Sequence, residues 1–181
     1  MPSVCVFCGS STGNREAYTL AARQLGQLLG KHGHTLVYGG GKVGLMGIVA
    51  DETLRSGGEV VGIIPDFLYQ REVGHDGVTR LEVVQTMHER KKRMADLSDY
   101  FVALPGGWGT LDELAEILTW KQLGLIHQPV GLLNTAEFFS PLVAQFQRMT
   151  DSAFLSTQNK QQLIIAETPA QLLTLLGVLA V

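Results

Sequence analysis

Short apolar runs alternate along the chain with stretches in which apolar residues return every three or four positions. The runs cover residues 4–8, 35–38, 59–64, 81–84, 100–104, 130–133 and 163–166. The stretches of helical period cover 15–31, 45–56 and 87–98, then a helix from Thr110, residues 137–149 and a helix from about Pro169. Runs that are apolar throughout, instead of alternating with polar residues, predict strands covered on both faces, which is the signature of a parallel sheet. Strand and helix in strict succession predict an α/β chain: a Rossmann-like doubly wound parallel sheet with helices on both faces. The pattern has no linker, repeat or low-complexity tract, so residues 1–181 read as one domain. Its one long irregular stretch, 65–79, carries Gly74, His75, Asp76 and Gly77 and is expected to shape a pocket mouth.

Ligands of such sheets sit beyond the carboxyl ends of the strands, where three loops here are rich in glycine: 9–13, 39–44 and 106–109. The third is the most informative. Pro105-Gly106-Gly107-Trp108-Gly109-Thr110 joins a predicted strand to a predicted helix, so backbone N–H groups of a first helical turn would face any anion bound there, a phosphate above all. Glu113 follows Thr110 by three positions, which is also the spacing of a capping box, with Thr110 as cap and Glu113 as its partner. A capping box needs none of the preceding glycines, and that favours a phosphate site with a carboxylate beside it. Gly39, Gly41 and Gly44 match the dinucleotide fingerprint Gly-x-Gly-x-x-Gly, with Asp66 past the next strand, so an NAD-binding oxidoreductase is the chief rival. Against it, Asp66 follows a proline and the fingerprint leaves the second phosphate motif unexplained. A P-loop is excluded by the absence of Gly-Lys-Ser or Gly-Lys-Thr.

Residues 86–94 form the other informative stretch. Thr86 and Glu89 have capping-box spacing, and Met87, Arg90, Lys91 and Met94 share a helical face. Arg90 offers a planar fork of donors suited to phosphate or ribose oxygens. Lys91 reads equally well as a ligand contact or as a side chain reaching past the core to water. Gly40, Gly41 and Ser10 are further candidates for the nucleotide site. The histidines, at 32, 34, 75, 88 and 127, lack metal-ligand spacing, so no metal is expected. Cys5 and Cys8, three apart on a strand, point to opposite faces and read as reduced structural thiols.

The motif Pro-Gly-Gly-x-Gly-Thr-x-x-Glu at 105–113 is similar to the signature of the LONELY GUY family, the cytokinin riboside 5′-monophosphate phosphoribohydrolases. Met87-His88-Glu89-Arg90-Lys91, the Gly39-Gly40-Gly41 cluster with Gly44-Leu45-Met46-Gly47, and Phe7-Cys8-Gly9-Ser10-Ser11 extend the resemblance from the first strand to about Gly124. The resemblance implies cleavage of the N-glycosidic bond of a nucleoside 5′-monophosphate, without a cofactor, by a dimer or larger assembly. It implies Glu113 and Arg90 as catalytic residues, with Gly106, Gly107, Gly109, Thr110, Lys91, Met87, Gly40, Gly41 and Ser10 holding phosphate, ribose or base. A non-catalytic nucleotide-binding module is a further alternative. A pyridoxal-phosphate decarboxylase lacks support, because none of Lys31, Lys42, Lys91, Lys92, Lys121 or Lys160 has the context of a Schiff-base lysine.

Charge and composition narrow the partners. A formal charge of −3 and a pI near 5.9 argue against a general nucleic-acid or anionic-membrane binder. Neither an N-terminal leader pattern nor an uninterrupted apolar run of spanning length is present, and the expected location is the cytoplasm. The helix from Thr110 is apolar along two lines, Leu111, Leu114, Leu118 and Ile117, Trp120, Gly124, which predicts a homodimer packed on it.

Overall fold

The computed structural model describes residues 1–71 and 74–179. Seven strands form one sheet in the order β4-β3-β2-β1-β5-β6-β7, and every neighbouring pair is parallel. They are β1 (Ser3–Phe7), β2 (Thr35–Tyr38), β3 (Glu59–Pro65), β4 (Arg80–Val84), β5 (Tyr100–Ala103), β6 (Val130–Leu133) and β7 (Leu163–Ala166). The chain lays down β1 to β4 in one direction, then returns to place β5 on the free side of β1. The order therefore reverses between β1 and β5, and the loops leaving those two strands diverge to opposite faces, opening a crevice.

Long helices cover both faces: α1 (Glu16–Lys31), α2 (Gly44–Arg55) and α8 (Pro169–Leu176) on one, α4 (Met87–Asp96), α5 (Trp108–Gln122) and α6 (Ser140–Asp151) on the other. Alternation along β1 feeds both layers. Val4 and Val6 pack with Leu25, Leu29, Val49 and Leu172, while Cys5 and Phe7 pack with Met94, Phe101, Leu114 and Ile117. This is why the inner strands carry no polar face, whereas the edge strand β4 carries Arg80 and Glu82. Cys5 and Cys8 fall in opposite layers as free, buried thiols.

The predicted boundaries shift where local chemistry decides. Helix α5 begins at Trp108, with Gly107 as its cap residue, two residues before the expected Thr110. Helix α6 begins at Ser140 instead of 137: Ala136 and Glu137 both take left-handed backbone angles (φ 52° and 59°) in a 3-10 turn, and the Asn134 side chain accepts the Phe139 N–H at 2.7 Å. Two helices of four residues were not expected, α3 (Asp66–Tyr69) and α7 (Thr157–Lys160). The second is capped by Ser156, whose hydroxyl accepts from the Asn159 N–H. Thr86 caps α4 as predicted, accepting from the Glu89 N–H at 3.1 Å, but the Glu89 carboxylate accepts the Gln85 N–H in place of the cap's own.

The irregular stretch also differs from expectation. Residues 72 and 73 lie outside the described residues, and 74–78 fold against the turn after β2 instead of shaping the mouth of the crevice. Gly74 bridges Gly41, the His75 N–H donates to the Gly40 carbonyl at 3.0 Å, and the His75 ring meets Asp51 at 3.0 Å.

Candidate active site

The crevice between the β1 and β5 loops is a cleft of about 160 Å³, lined from β1 and its loop by Val6, Cys8, Gly9 and Ser10, from the β2 loop by Gly39, and from α2 by Met46. Its other wall is Arg90 of α4 and the start of α5, Gly107, Trp108, Gly109, Thr110 and Glu113. Glycine at two positions lets the loops approach this closely. A side chain at Gly106 would overlap the Thr110 hydroxyl, and one at Gly44, whose φ is +61°, would overlap the backbone of Ser10 and Ser11.

With Gly107 as cap residue, Thr110 is the third residue of α5 and Glu113 stands in its second turn, so the two do not form a capping box. The first helical bond is donated by Leu111 to the Gly107 carbonyl at 3.1 Å. The N–H groups of Trp108, Gly109 and Thr110 precede it and have no partner within the helix, and all three residues line the cleft. A helix N-terminus with its partial positive charge thus meets the cleft beside a carboxylate.

Arg90 and Glu113 are both nearly buried, at 6% and 9% exposure, and their closest approach is 3.9 Å from Nη1 to Oε1. The arginine is held by backbone. Its Nε donates to the Ile63 carbonyl at 3.1 Å and its Nη2 to the Gly39 carbonyl at 2.8 Å, and the guanidinium takes the space a side chain at Gly39 would need. Two edges of the fork are therefore committed to the ends of β2 and β3, leaving Nη1 on the side of Glu113 and the Met87 thioether. An arginine so fixed positions a carboxylate better than it wraps a phosphate.

Of the predicted ligand residues, the structure brings Ser10, Arg90, Gly107, Gly109, Thr110 and Glu113 together in the cleft. Gly106 lines a second, more apolar cleft next to it, with Ser10, Ser11, Tyr18 and Phe138. Met87 touches Arg90 but does not line the cleft, and Gly40 and Gly41 serve the loop at 74–75. Lys91 turns away: its Nζ is bound by Asp112 at 3.1 Å and Glu116 at 3.2 Å. Met46 and Trp108 line the cleft without having been singled out, and so does Cys8. Burial above all, with the nearby Glu113 carboxylate, pushes the Cys8 thiol far above its ordinary range, so it stays protonated.

None of the six lysines lines the cleft. The Gly39–Gly44 turn packs against the first loop and the 74–75 segment, and Asp66 is an exposed residue of α3, so the dinucleotide reading loses both of its supports.

Fold and cleft together define a Rossmann-like protein with an anion-receptive helix end facing a buried arginine–glutamate pair. Comparison with known proteins agrees. A family described as "Possible lysine decarboxylase" matches residues 46–176. A rice protein (Oryza sativa subsp. japonica), "Probable cytokinin riboside 5'-monophosphate phosphoribohydrolase LOGL1", is 47% identical over 170 residues, covering 94% of this chain and 76% of that one. "Cytokinin riboside 5'-monophosphate phosphoribohydrolase LOG2" of Arabidopsis thaliana is 44% identical over 173 residues, covering 96% and 81%. Among solved structures, the molybdenum cofactor binding protein of Rippkaea orientalis superposes with a TM-score of 0.73 at 25% identity over 98% of this chain and 96% of its own. The Moco carrier protein of Chlamydomonas reinhardtii gives 0.72 at 22% identity over the same shares, a likeness of fold. The chain belongs to the LONELY GUY family of phosphoribohydrolases and matches the model that carries the decarboxylase description.

Proposed function

We propose that this protein hydrolyses the N-glycosidic bond of a nucleoside 5′-monophosphate, AMP or an N6-modified relative such as N6-isopentenyladenosine monophosphate, to the free base and ribose 5-phosphate. The observation that carries the reading is the Glu113 carboxylate beside Arg90, next to the open end of α5. The 5′-phosphate binds the N–H groups of Trp108, Gly109 and Thr110, which sets the ribose against Glu113. As the bond from C1′ to the base nitrogen breaks, its electron pair leaves with the base and positive charge builds on the sugar. Glu113 stabilises that charge and takes a proton from the water whose oxygen bonds to C1′; the departing base nitrogen takes one proton from solvent, and Glu113 returns its own to solvent, which restores the carboxylate. Arg90, with Nη1 3.9 Å from Oε1, holds the carboxylate in place.

The phosphate is remote from the reacting bond, so its binding energy positions the sugar instead of taking part in the chemistry. Adenosine, which lacks it, is expected to be hydrolysed at least a hundredfold more slowly than AMP at equal concentration, with released adenine followed by chromatography. Equal rates would remove the role given to the end of α5.

The functional unit is a homodimer in the cytoplasm, acting on a small molecule, with neither nucleic acid nor a membrane as partner. Free thiols at Cys5 and Cys8 suit a reducing compartment, and no helix among the described residues is long and apolar enough to cross a membrane. Of the residues that suggested a dimer, Leu114 and Ile117 are spent on the core. What supports the dimer instead is the exposure of Trp108, Leu123 and Leu125 at the two ends of α5, at 88%, 64% and 67%. Light scattering at micromolar concentration should give twice the 19.7 kDa chain mass, and a monomeric mass would reject the dimer.

A further inference from the structure

Two doublets meet between helices α4 and α5, at one wall of the cleft: Arg90-Lys91 on α4 and Asp112-Glu113 on α5. Their inner members, Arg90 and Glu113, form the pair at the cleft. Their outer members form another, in which the Lys91 ammonium bonds Asp112 and also Glu116, one turn further along α5. Asp112 and Glu116 thus straddle Glu113 in sequence, and one cation grips both.

The two helices share an apolar layer, through Met94 and Ala95 of α4 and Leu114 and Ile117 of α5, but their backbones scarcely approach one another, and each packs on the sheet, α4 on β3 and β4 and α5 on β1. Above that layer they meet through charged side chains, Arg90 with Glu113 and Lys91 with Asp112 and Glu116. Arg90 is fixed from the other direction, by the carbonyls of Ile63 and Gly39, and so belongs to the β2–β3 half of the molecule. Glu113 belongs to the β1–β5 half through α5. The side chain of Lys91 is 11% exposed and spans those halves at the level of the reacting pair.

We infer that Lys91 is a positioning residue that clamps α5 to α4 through Asp112 and Glu116 and so holds Glu113 at its working distance from Arg90. It does not touch substrate. Burial alone would lower the Lys91 ammonium, but the hydrogen bonds it donates to Asp112 and Glu116 outweigh it and hold the group above its ordinary value, so the clamp is charged throughout the neutral range. The effect on turnover rests on the proposed hydrolysis, whereas the clamp itself does not.

The test compares Lys91→Met, Lys91→Arg and the double variant Asp112→Asn/Glu116→Gln with the parent protein. Misplacement of a reacting group by about 1 Å costs roughly a hundredfold in rate. Lys91→Met and the double variant are each expected to lower kcat for AMP by a factor of about 10 to 100 with KM changed less than threefold. Lys91→Arg, which can reach both carboxylates, should recover most of it. Hydrogen exchange of the helix-bonded amides at 111–116 should speed at least tenfold in both loosened variants, with exchange in β5 unchanged. This second readout needs no turnover: if the parent releases no adenine, the proposed hydrolysis fails while the clamp is still judged by exchange. A large rise in KM with kcat intact would make Lys91 a phosphate ligand and overturn the inference. Parental kcat and exchange in the double variant would overturn it too, even if Lys91→Met failed to fold.

Discussion

Glu113→Gln should lower turnover of AMP by about 10³-fold, equivalent to about 4 kcal/mol of transition-state stabilisation, with little change in AMP binding. Glutamine keeps the size of the side chain and one accepting oxygen but carries neither the negative charge that answers the developing cation nor a basic oxygen for the attacking water. Because Thr110 does not cap α5, the substitution leaves the helix end intact. Arg90 loses its anionic neighbour but keeps the Ile63 and Gly39 carbonyls, so the fold survives with a loss of about 1–2 kcal/mol in a denaturant titration. Single-turnover release of adenine, measured on protein whose unfolding remains cooperative, decides the matter. Retention of most of the turnover would sink the assignment of Glu113 as the catalytic carboxylate.

Arg90→Ala is expected to act on stability as strongly as on chemistry. The guanidinium satisfies two buried carbonyls and stands beside a buried carboxylate, and truncation leaves all three behind. Breaking a buried ionic contact in this way costs about 3–5 kcal/mol of unfolding free energy. Where the variant stays folded, turnover falls at least a hundredfold, because Glu113 loses the charge that orients it. Arg90→Lys should restore little, since a single ammonium cannot reproduce the planar fork that meets Ile63 and Gly39 together. An unfolding midpoint equal to that of the parent protein would show that the carbonyl contacts contribute nothing and that Arg90 is only a surface of the cleft.

How far the molecule is legible in its sequence follows from the range of the forces involved. The strands announce themselves because all of β6, and all of β1 and β2 after their first residues Ser3 and Thr35, are buried between two helix layers, and the pattern there has to be apolar. Glu113 and the glycine turn before it are legible for the same local reason: strand, turn and helix end follow one another within residues 100–113. The start of α5 is not, since Thr110 and Glu113 mimic a capping box and only the backbone of Gly107 reveals the true cap. Lys91 is the instructive case. Its neighbours at 112 and 116 lie some twenty residues away, and no helical spacing could distinguish a lysine aimed at a phosphate from one gripped by the next helix. Cys8 and Met46 enter the cleft only because β1 and the start of α2 converge there, which is a matter of tertiary packing. The fingerprint at 39–44 fails in the opposite sense. Its glycines are required by contacts with Ser10, with the 74–75 segment and with Arg90, and spacing alone cannot tell a glycine that admits a ligand from one that admits the chain itself.

The mutual overlap of those turns restricts how the site can diversify. The Cα of Gly44 rests on the backbone of Ser10 and Ser11, Gly106 lies against Gly9 and Thr110, and Arg90 occupies the space beside Gly39. The turns behave like fitted stones, in which enlarging any one displaces the next, so relatives that prefer different bases cannot be produced by rebuilding a single loop. Variation is confined to the side chains that project from this frame without supporting it. Trp108 and Ser10, both exposed, are such positions on the wall of the cleft, whereas Met46 is packed into the core, and a library that varies the first two while leaving the glycines untouched alters the cleft without dismantling the turns.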